Sequence, residues 1–471
     1  MFDSRRILIV GAGPTGLGAA WRLNELGHHN WLLVDSAPAA GGLSSSFVDE
    51  QGFTWDLGGH VHFSHYEYFD DVMDGLLGGD WLEHQRESWI WMRDRFIPYP
   101  LQNNIGRLPA DELLECLNGL LTVFAAGARP VPANFEDWLL HAFGDGIFRV
   151  FLEPYNFKVW AYPPSKLNAQ WVGERVATVD LRRVLKNIVH KTDDLGWGPN
   201  ATFRFPKYGG TGAIWKSLAG KLPSERLRYN CELARLDVES RYALMRDGSR
   251  VPYDALISTI PLDRLLTEVI SLETIPRDAH ASFKHSSTHV VGVGFTGVAP
   301  EQLRTKCWMY FPEPNVPFYR ATVFSNYSPY NVAKPYEQWS LMCEVAESPE
   351  KPVDSSTIVE DVVAGLKTTR FIDDSSEIVT RKHYRLEHGY PTPFLGRDAF
   401  VHQVNELLRR HDILSRGRFG AWKYEVSNQD HSFMQGVEAV DNVLFGTFET
   451  TFHSPSIVNS GKVSRNAYSR A

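Results

Sequence analysis

Hydrophobic positions recur along this chain in three rhythms, and each predicts a different kind of structure. Arg6 to Val10 reads as a short buried strand, and Ala19, Ala20, Leu23 and Leu26 then fall at helical spacing. A second apolar strand, Trp31 to Val34, ends at Asp35. The most apolar helical run spans Leu113 to Ala128. Glu115 and Asn118 interrupt it, so it is too short and too polar to span a bilayer and is expected to be a buried helix. From about Ser287 to Ala346 the segments HVVGVGFTGV, CWMYFP, FYRATVFSNY and WSLMCEVA alternate with period two, which predicts an antiparallel sheet. PKYGGTGAIWKSLAGKL (Pro206–Leu222) reads as a glycine turn feeding a helix. The Asp247-Gly248 hairpin signal precedes a buried strand in YDALISTIPLDRL (Tyr253–Leu265). Near the end, GVEAVDNVLFG (Gly436–Gly446) is expected to return a last strand to the first domain.

The opening strand–helix–strand unit carries a glycine fingerprint. Gly11, Gly13 and Gly16 stand at GxGxxG spacing between the two strands, with Asp35 about 20 residues downstream. Gly11 allows a tight turn, Gly13 lets backbone N–H groups approach a pyrophosphate, and Gly16 lets helix and strand pack closely. Asp35 supplies acceptors for ribose hydroxyls. Gly41-Gly42-Leu43-Ser44 follows within a few residues and gives a second close backbone approach to the same cofactor. This pattern resembles FAD proteins of the glutathione-reductase-like group, so FAD is favoured, while the fingerprint alone also admits NAD.

The expected fold class is α/β: a discontinuous Rossmann-like FAD-binding domain with a helical insert domain and an antiparallel β-sheet domain. Residues 1–95, 196–285 and 386–471 would build the FAD-binding domain, its middle segment carrying part of the sheet. Residues 96–195 would form the helical insert, with a base pocket and a mobile flap, and residues 286–385 the sheet domain that holds substrate.

Composition narrows the partners. A net charge of −8 argues against binding to nucleic acid or an anionic membrane, so a phosphate ester would need a few placed arginines. The 14 tryptophans and 13% aromatic content suit the stacking of planar ligands, although core packing also uses them. Cys116, Cys231, Cys307 and Cys343 are scattered, which fits a reducing cytoplasm better than a zinc ribbon or a disulfide framework. The first strand begins almost at the N-terminus, leaving no room for a signal peptide, so a cytoplasmic protein without a membrane span is expected.

Long irregular segments then resemble the UDP-galactopyranose mutases, most closely the eukaryotic type. They include GGHVHFSHYEYFDD (Gly58–Asp71), PYPLQNNI (Pro98–Ile105), EPYNFKVWAYP (Glu153–Pro163), GERVA (Gly173–Ala177) and WGPNATFRFP (Trp197–Pro206). They continue with CWMYFPEPNVPFYRATVFSNYSPYN (Cys307–Asn331), HGYPTP (His388–Pro393) and SRGRFGAWKYEVSNQDHSFMQGVEAVDN (Ser415–Asn442). The resemblance implies interconversion of UDP-galactopyranose and UDP-galactofuranose with no net redox change. In that family N5 of reduced FAD attacks the anomeric carbon, and the flavin–sugar adduct opens through an iminium. NADPH would reduce the flavin transiently from the substrate cleft, and a separate reductase fits equally well.

Residue by residue, the resemblance assigns Arg175 and Arg320 to a diphosphate clamp, for which the planar guanidinium fork is suited. Tyr327, Tyr390 and Tyr424 become hydroxyl donors around phosphates and sugar, and Tyr99, Gln102, Phe151, Asn156 and Trp160 become the base pocket. Leu101 stands where the family commonly has an aromatic, which weakens stacking on one side of the base. Asn200 and Arg175 would sit on mobile flaps, the first beside Asp193, Asp194, Gly196 and Gly198. Arg86, Trp308, Tyr310, Arg418 and Asn428 match positions near flavin or substrate, and Gln429, Asp430 and Ser432 fall in the C-terminal flavin segment. The short Asn331–Trp339 stretch favours a monomer or small homo-oligomer.

In the loop Gly58-Gly59-His60, the resemblance lays the backbone over the flavin ring, with His60 reporting its redox state and Phe63 facing substrate. The HxH and HxxH spacings of His60, His62 and His65 lack further ligands nearby, so no metal is expected. His62 is read as a packing residue. Three other readings compete: an amine- or protoporphyrinogen-oxidase-like flavin oxidase, a silent sugar-nucleotide binder, and a mutase for another nucleotide sugar.

Overall fold

The computed structural model describes residues 4–127, 129–195, 201–270 and 283–468. The glycine fingerprint folds as its spacing demands: β1 (Ile7–Val10), α1 (Pro14–Glu25) and β2 (Trp31–Val34). β1 and β2 lie in a five-stranded parallel sheet, ordered Ile413–Ser415, Ala255–Ser258, β1, β2, Leu227–Arg228. Its strands come from three distant parts of the chain, so the nucleotide-binding sheet is discontinuous. The Asp247-Gly248 signal joins the antiparallel strands Tyr242–Met245 and Arg250–Pro252, and the glycine turn before Ala213 leads into the helix Gly212–Gly220.

The second large sheet has seven strands, ordered Ile378–Pro391, His285–Thr296, Gln338–Glu347, Arg320–Val323, Trp308–Tyr310, Ser88–Met92 and Arg95–Pro98. Its centre is the expected antiparallel stretch. It also recruits the long Ile378–Pro391 strand and the Ser88–Pro98 hairpin, whose second strand lies beyond the expected boundary at residue 95. The helical insert, with helices Ala110–Ala125, Phe135–Ile147, Glu153–Trp160 and Leu181–His190, shares a core with Ile90, Met92 and Ile97 of the seven-stranded sheet.

Two expectations change. Gly436–Gly446 forms no strand; it belongs to the 17-residue helix Gln429–Phe445. Small residues let this helix press its backbone against α1: a Cβ on Gly436 would lie 2.0 Å from Thr15 O, and one on Gly18 would lie 2.2 Å from Phe433 O. Phe433, Val437 and Val440 are buried at helical spacing on the same element. The last strand of the sheet is instead Ile413–Ser415. The apolar helix Ala110–Ala125 is also less buried than expected, because Leu114, Leu121 and Phe124 are more than half exposed. Only its Cys116–Gly119–Leu120 face is covered, where Gly119 meets the backbone of Gly144 and Gly146 in the next helix.

The α1 contact makes a direct test. Gly436→Ala should cost about 3 kcal/mol or more, since a methyl cannot fit without moving backbone, and should lower the melting temperature clearly. Gly220→Ala meets nothing within 4 Å and should be neutral or stabilise by up to about 1 kcal/mol.

Candidate active site

One cavity of about 1060 Å³ runs between the parallel sheet, the seven-stranded sheet and the helical insert. It exceeds the usual span of ~300–1,000 Å³ for ligand pockets, so a dinucleotide and a second ligand can share it. At one end it is lined by Gly11, Gly13, Asp35, Gly42, Leu43 and Ser44. The N-terminus of α1 has no side-chain cap, and a Cβ on Gly13 would find only Gly41 and Gly42 within 4 Å. Open backbone N–H groups at a helix start make an anion site. Asp35 receives Ala12 N–H at 2.5 Å and Ala37 N–H at 2.6 Å, while burial raises its pKa. Its remaining lone pairs face the cavity. Gly16 and Gly41 act behind this surface: a Cβ on Gly16 would meet Gly11 O at 1.8 Å, and Gly41 holds its turn at φ +135°.

The middle of the cavity is built by the histidine loop. Gly58 turns at φ +137°, Gly59 and His60 line the wall, and Val61 and Phe63 follow. The His60 Nδ1 is buried without a hydrogen-bond partner among the described residues. Burial, then Arg418 and Arg320, push its pKa down to about 4, so the ring is neutral. Arg418 donates to Gly389 O at 3.0 Å and to Ser427 Oγ at 2.9 Å, and its guanidinium lies 4.9 Å from the Tyr390 ring centre. Gln429 and Ser432 complete this wall; Gln429 Oε1 accepts from Trp215 Nε1 at 2.8 Å. This set of glycine backbone, neutral His60 and amide groups fits a flat, hydrogen-bonding ring system.

The other end is aromatic and cationic. Arg175 lies 4.8 Å over the Tyr424 ring, donates to Glu425 O at 3.0 Å and meets Asn428 Oδ1 at 3.4 Å. Neither Arg175 nor Arg418 has a carboxylate partner among the described residues. Arg320 differs, because Glu344 holds it in a close ion pair with Nη2–Oε1 at 2.6 Å. Trp160 packs edge-on against Tyr424 at 4.8 Å and Tyr390 at 5.8 Å. Tyr99 and Tyr310 meet at 5.0 Å, and Phe151 stacks on Tyr155 at 5.2 Å with planes 6° apart. Gln102 donates to Ala177 O, leaving its buried Oε1 without a partner among the described residues, and Asn156 donates to Leu152 O. Arg86 and Trp308 also line the cavity.

Two expected site residues, Tyr327 and Asp430, do not line it. Tyr327 is buried behind Trp308, its ring 5.2 to 6.0 Å from Phe205, Phe203, Phe324 and Trp308, because the Phe324–Asn326 turn folds it away. Asp430 turns from the cavity into the protein, where its Oδ2 accepts from His65 N–H at 3.0 Å and pairs with His65 Nδ1 at 2.8 Å. The neighbouring His431 and His65 hold its pKa well below the usual carboxylate range. Leu101 is fully buried in the insert core and adds no wall to the base pocket. Asn200 lies outside the described residues. His65, Asp430 and His431 bring three possible metal ligands within 4.8 Å of one another, a grouping that spacing along the chain could not show. Sequence reading also missed Tyr155, Trp171, Tyr319 and Glu344. Tyr155 and Tyr319 sit inside segments quoted for the resemblance, whereas Glu344 carries no local signal.

With this geometry in hand, comparison with known proteins is decisive. A crystal structure of reduced UDP-galactopyranose mutase superposes with a TM-score of 0.95 at 50% identity, covering 98% of this chain and 99% of that one. The chain belongs to the UDP-galactopyranose mutase family. Residues 14–368 also match the flavin containing amine oxidoreductases, so the mutase-family chain is built on an FAD-binding frame. A structure assigned as a protoporphyrinogen oxidase from an Exiguobacterium species shares the fold, with a TM-score of 0.73 at 16% identity over 95% of this chain and 100% of that one. Among curated proteins, 15-cis-phytoene desaturase of Capsicum annuum is 23% identical over 290 residues, 55% of this chain and 46% of its own. The chain therefore spans about half the length of the curated relatives it matches.

The loop also predicts an acid response. His62 stacks on Phe69 at 5.3 Å and meets Trp81 at a tilt at 4.9 Å, and its Nε2 accepts from Arg204 at 3.0 Å. Burial and then Arg204 push its pKa down to about 3. The unfolded chain binds this proton near pH 6.5, so the contribution is complete above that pH and is lost as pH falls toward 3. Urea melts should show about 2 kcal/mol less stability from this group at pH 4.5 than at 6.5. His62→Phe should flatten that slope; an unchanged slope would refute the assignment.

Proposed function

We propose that the protein interconverts UDP-galactopyranose and UDP-galactofuranose without net redox change. The observation that carries this reading is the 50% identity over nearly the whole chain to a UDP-galactopyranose mutase. It is supported by two carboxylate-free arginines facing the neutral His60 loop across one cavity. Bound reduced FAD supplies the nucleophilic N5 that this chemistry requires and leaves the cycle in its starting redox state. Arg175 and Arg418 would neutralise the diphosphate, and Arg320 would join them from its pair with Glu344. Tyr390, Tyr424 and Asn428 would orient the sugar. Tyr99, Phe151 and Tyr155 would stack the base, while the free Oε1 of Gln102 accepts from its edge. The Trp160–Trp171–Tyr424 wall keeps water from the anomeric carbon. NADPH entering the same cleft is the proposed reductant.

An oxidase reading draws on the amine oxidoreductase frame, but an amine or porphyrin substrate makes no use of paired free arginines. The deciding experiment is anaerobic reduction of the FAD-loaded protein, followed by chromatography of UDP-galactopyranose and UDP-galactofuranose. Interconversion by the reduced form alone is expected. Oxygen-linked turnover of amines without interconversion would sink the proposal. Arg175→Ala and Arg320→Ala should keep the flavin spectrum and lose about 10- to 100-fold in kcat/KM, the size of a charge-assisted hydrogen bond.

A further inference from the structure

A second polar cluster joins the end of the parallel sheet to the edge of the seven-stranded one, and the proposed reaction makes no use of it. Asp263 stands in the short helix Leu262–Arg264, which follows the parallel-sheet strand Ala255–Ser258. His285 opens the strand His285–Thr296, and His388 lies near the end of its neighbour Ile378–Pro391. The pairing of these two strands slips between Ser286 and Thr288, so Glu387, His388 and Gly389 bulge opposite Ser287. Bulges re-aim side chains, and here the His388 ring stacks on that of His285 with centroids 4.2 Å apart.

Both imidazoles turn to one carboxylate. His388 Nε2 lies 2.9 Å from Asp263 Oδ2 and 3.1 Å from its Oδ1, and His285 Nδ1 lies 3.6 Å from Oδ2. One ligand atom from each of the three side chains falls within 4.8 Å of the others. Arg264 N–H donates to Asp263 Oδ1 at 2.9 Å, which leaves Oδ2 as the oxygen shared by the two rings. Tetrahedral zinc with bonds of ~2.0–2.1 Å sets its ligand atoms roughly 3.3 Å apart, a spacing that the 2.9 and 3.6 Å edges bracket. Behind the ligands, His285 Nε2 faces Glu387 Oε1 at 3.5 Å. A carboxylate in that place orients metal-binding imidazoles. Phe419 packs edge-on against His388 at 5.1 Å, and Trp422 lies 6.3 Å from both rings, giving the cluster an apolar floor. The neighbouring cations are already paired, Arg385 with Glu347 and Glu387 and Arg264 with Glu268. The three side chains are 12–23% exposed, so an ion can reach them. His65, Asp430 and His431 are buried, and Asp430 is already committed to His65.

We propose that Asp263, His285 and His388 form a binding site for one divalent cation of the zinc class, with water in the fourth position and Glu387 positioning His285. Two imidazole nitrogens and one carboxylate oxygen suit Zn²⁺, Co²⁺ or Ni²⁺, whereas Mg²⁺ and Ca²⁺ take oxygen ligands. The ion would tie the helix that follows the parallel sheet to the end of the seven-stranded sheet. Its three ligands come from distant segments, so the site exists only in the folded chain and occupancy stabilises the fold by mass action. Nothing in this site depends on the flavin or sugar chemistry.

The test uses tag-free, FAD-loaded protein, stripped with a chelator and titrated calorimetrically with Zn²⁺ at neutral pH. One equivalent should bind per chain. Saturating Zn²⁺ should raise the melting temperature, and Mg²⁺ at the same concentration should not. His285→Ala and Asp263→Asn should weaken binding about 100-fold or more, and Glu387→Gln about 10-fold, as removal of a carboxylate behind a ligand does. Co²⁺ in place of Zn²⁺ should give the visible bands of a low-coordinate site, and His285→Ala should abolish them. His383→Ala changes a histidine on the same strand that pairs with His289 instead; it should leave affinity, stoichiometry and bands unchanged. If a ligand variant folds poorly, the parent's stoichiometry, metal preference and Co²⁺ spectrum decide. No one-to-one binding by the parent, full binding by His285→Ala, or loss of binding in His383→Ala would each overturn the proposal. Sugar interconversion is a separate readout, so failure of the mutase reading would leave these outcomes as they stand.

Discussion

Recessed positive charge is the constraint around which this structure is arranged. Arg175 and Arg418 approach the same Tyr424 ring, at 4.8 and 5.9 Å, with no carboxylate to neutralise them among the described residues. Burial, and the neighbouring Arg175, lower the pKa of Arg418 from its usual guanidinium value. Cation–π contact gives each about 0.5–2 kcal/mol, well short of the cost of an unpaired buried charge. Backbone carbonyls of Gly389 and Glu425 make up part of the difference. An anion in the cavity would supply the rest, so the proposed diphosphate ligand would find its charge matched by these two arginines. Arg320 is the exception that shows the rule, because a full carboxylate has been placed in the sheet opposite it.

Holding such a site requires rigid walls from unrelated stretches of sequence, and the helix contact between α1 and Gln429–Phe445 provides one. Their backbones touch through Gly18 and Gly436. That contact ties the dinucleotide turn to the C-terminal segment carrying Gln429 and Ser432. A second tie, His65 to Asp430, spans 365 residues and pins the same histidine loop from behind. The wall proposed to face the flavin is thus fixed at both ends, while its middle, Gly59, donates to Glu344.

What could be read from the sequence follows from whether the signal was local. The β1–α1–β2 unit was legible because glycine spacing, strand apolarity and Asp35 all fall within about 30 residues and act together. The parallel and antiparallel sheets were legible as periodicity. Gly436–Gly446 was misread because a glycine-bounded valine run was taken as a strand, whereas Val437, Val440 and Val443 recur at helical spacing and the segment packs as a helix against α1. Leu114, Leu121 and Phe124 were misplaced for a related reason: an apolar run states what a helix can bury, whereas the Gly119 crossing sets which face is covered. Tyr327 and Asp430 sat in strongly resembling motifs, yet side-chain direction within a motif depends on turns such as Phe324–Asn326 that composition does not encode. Glu344 had no signal at all, since its meaning comes from strand register against Arg320.

The three histidines of GGHVHFSH show how one short run can serve three environments. His60 follows two glycines and is neutral in the cavity wall, its Nδ1 left for a ligand. His62, two residues on, bridges to Arg204 and packs against Phe69 and Trp81 as acceptor for the Arg204 guanidinium. His65 lies past the turn at Ser64 and donates to a carboxylate from the far end of the chain. Proximity in sequence therefore suggested one cluster, and the geometry separates it into a cavity-wall residue, a packing residue and an anchor. The anchor and the packing residue fix the loop's far side, which leaves the Gly59–His60 segment as the part free to respond to what the cavity holds.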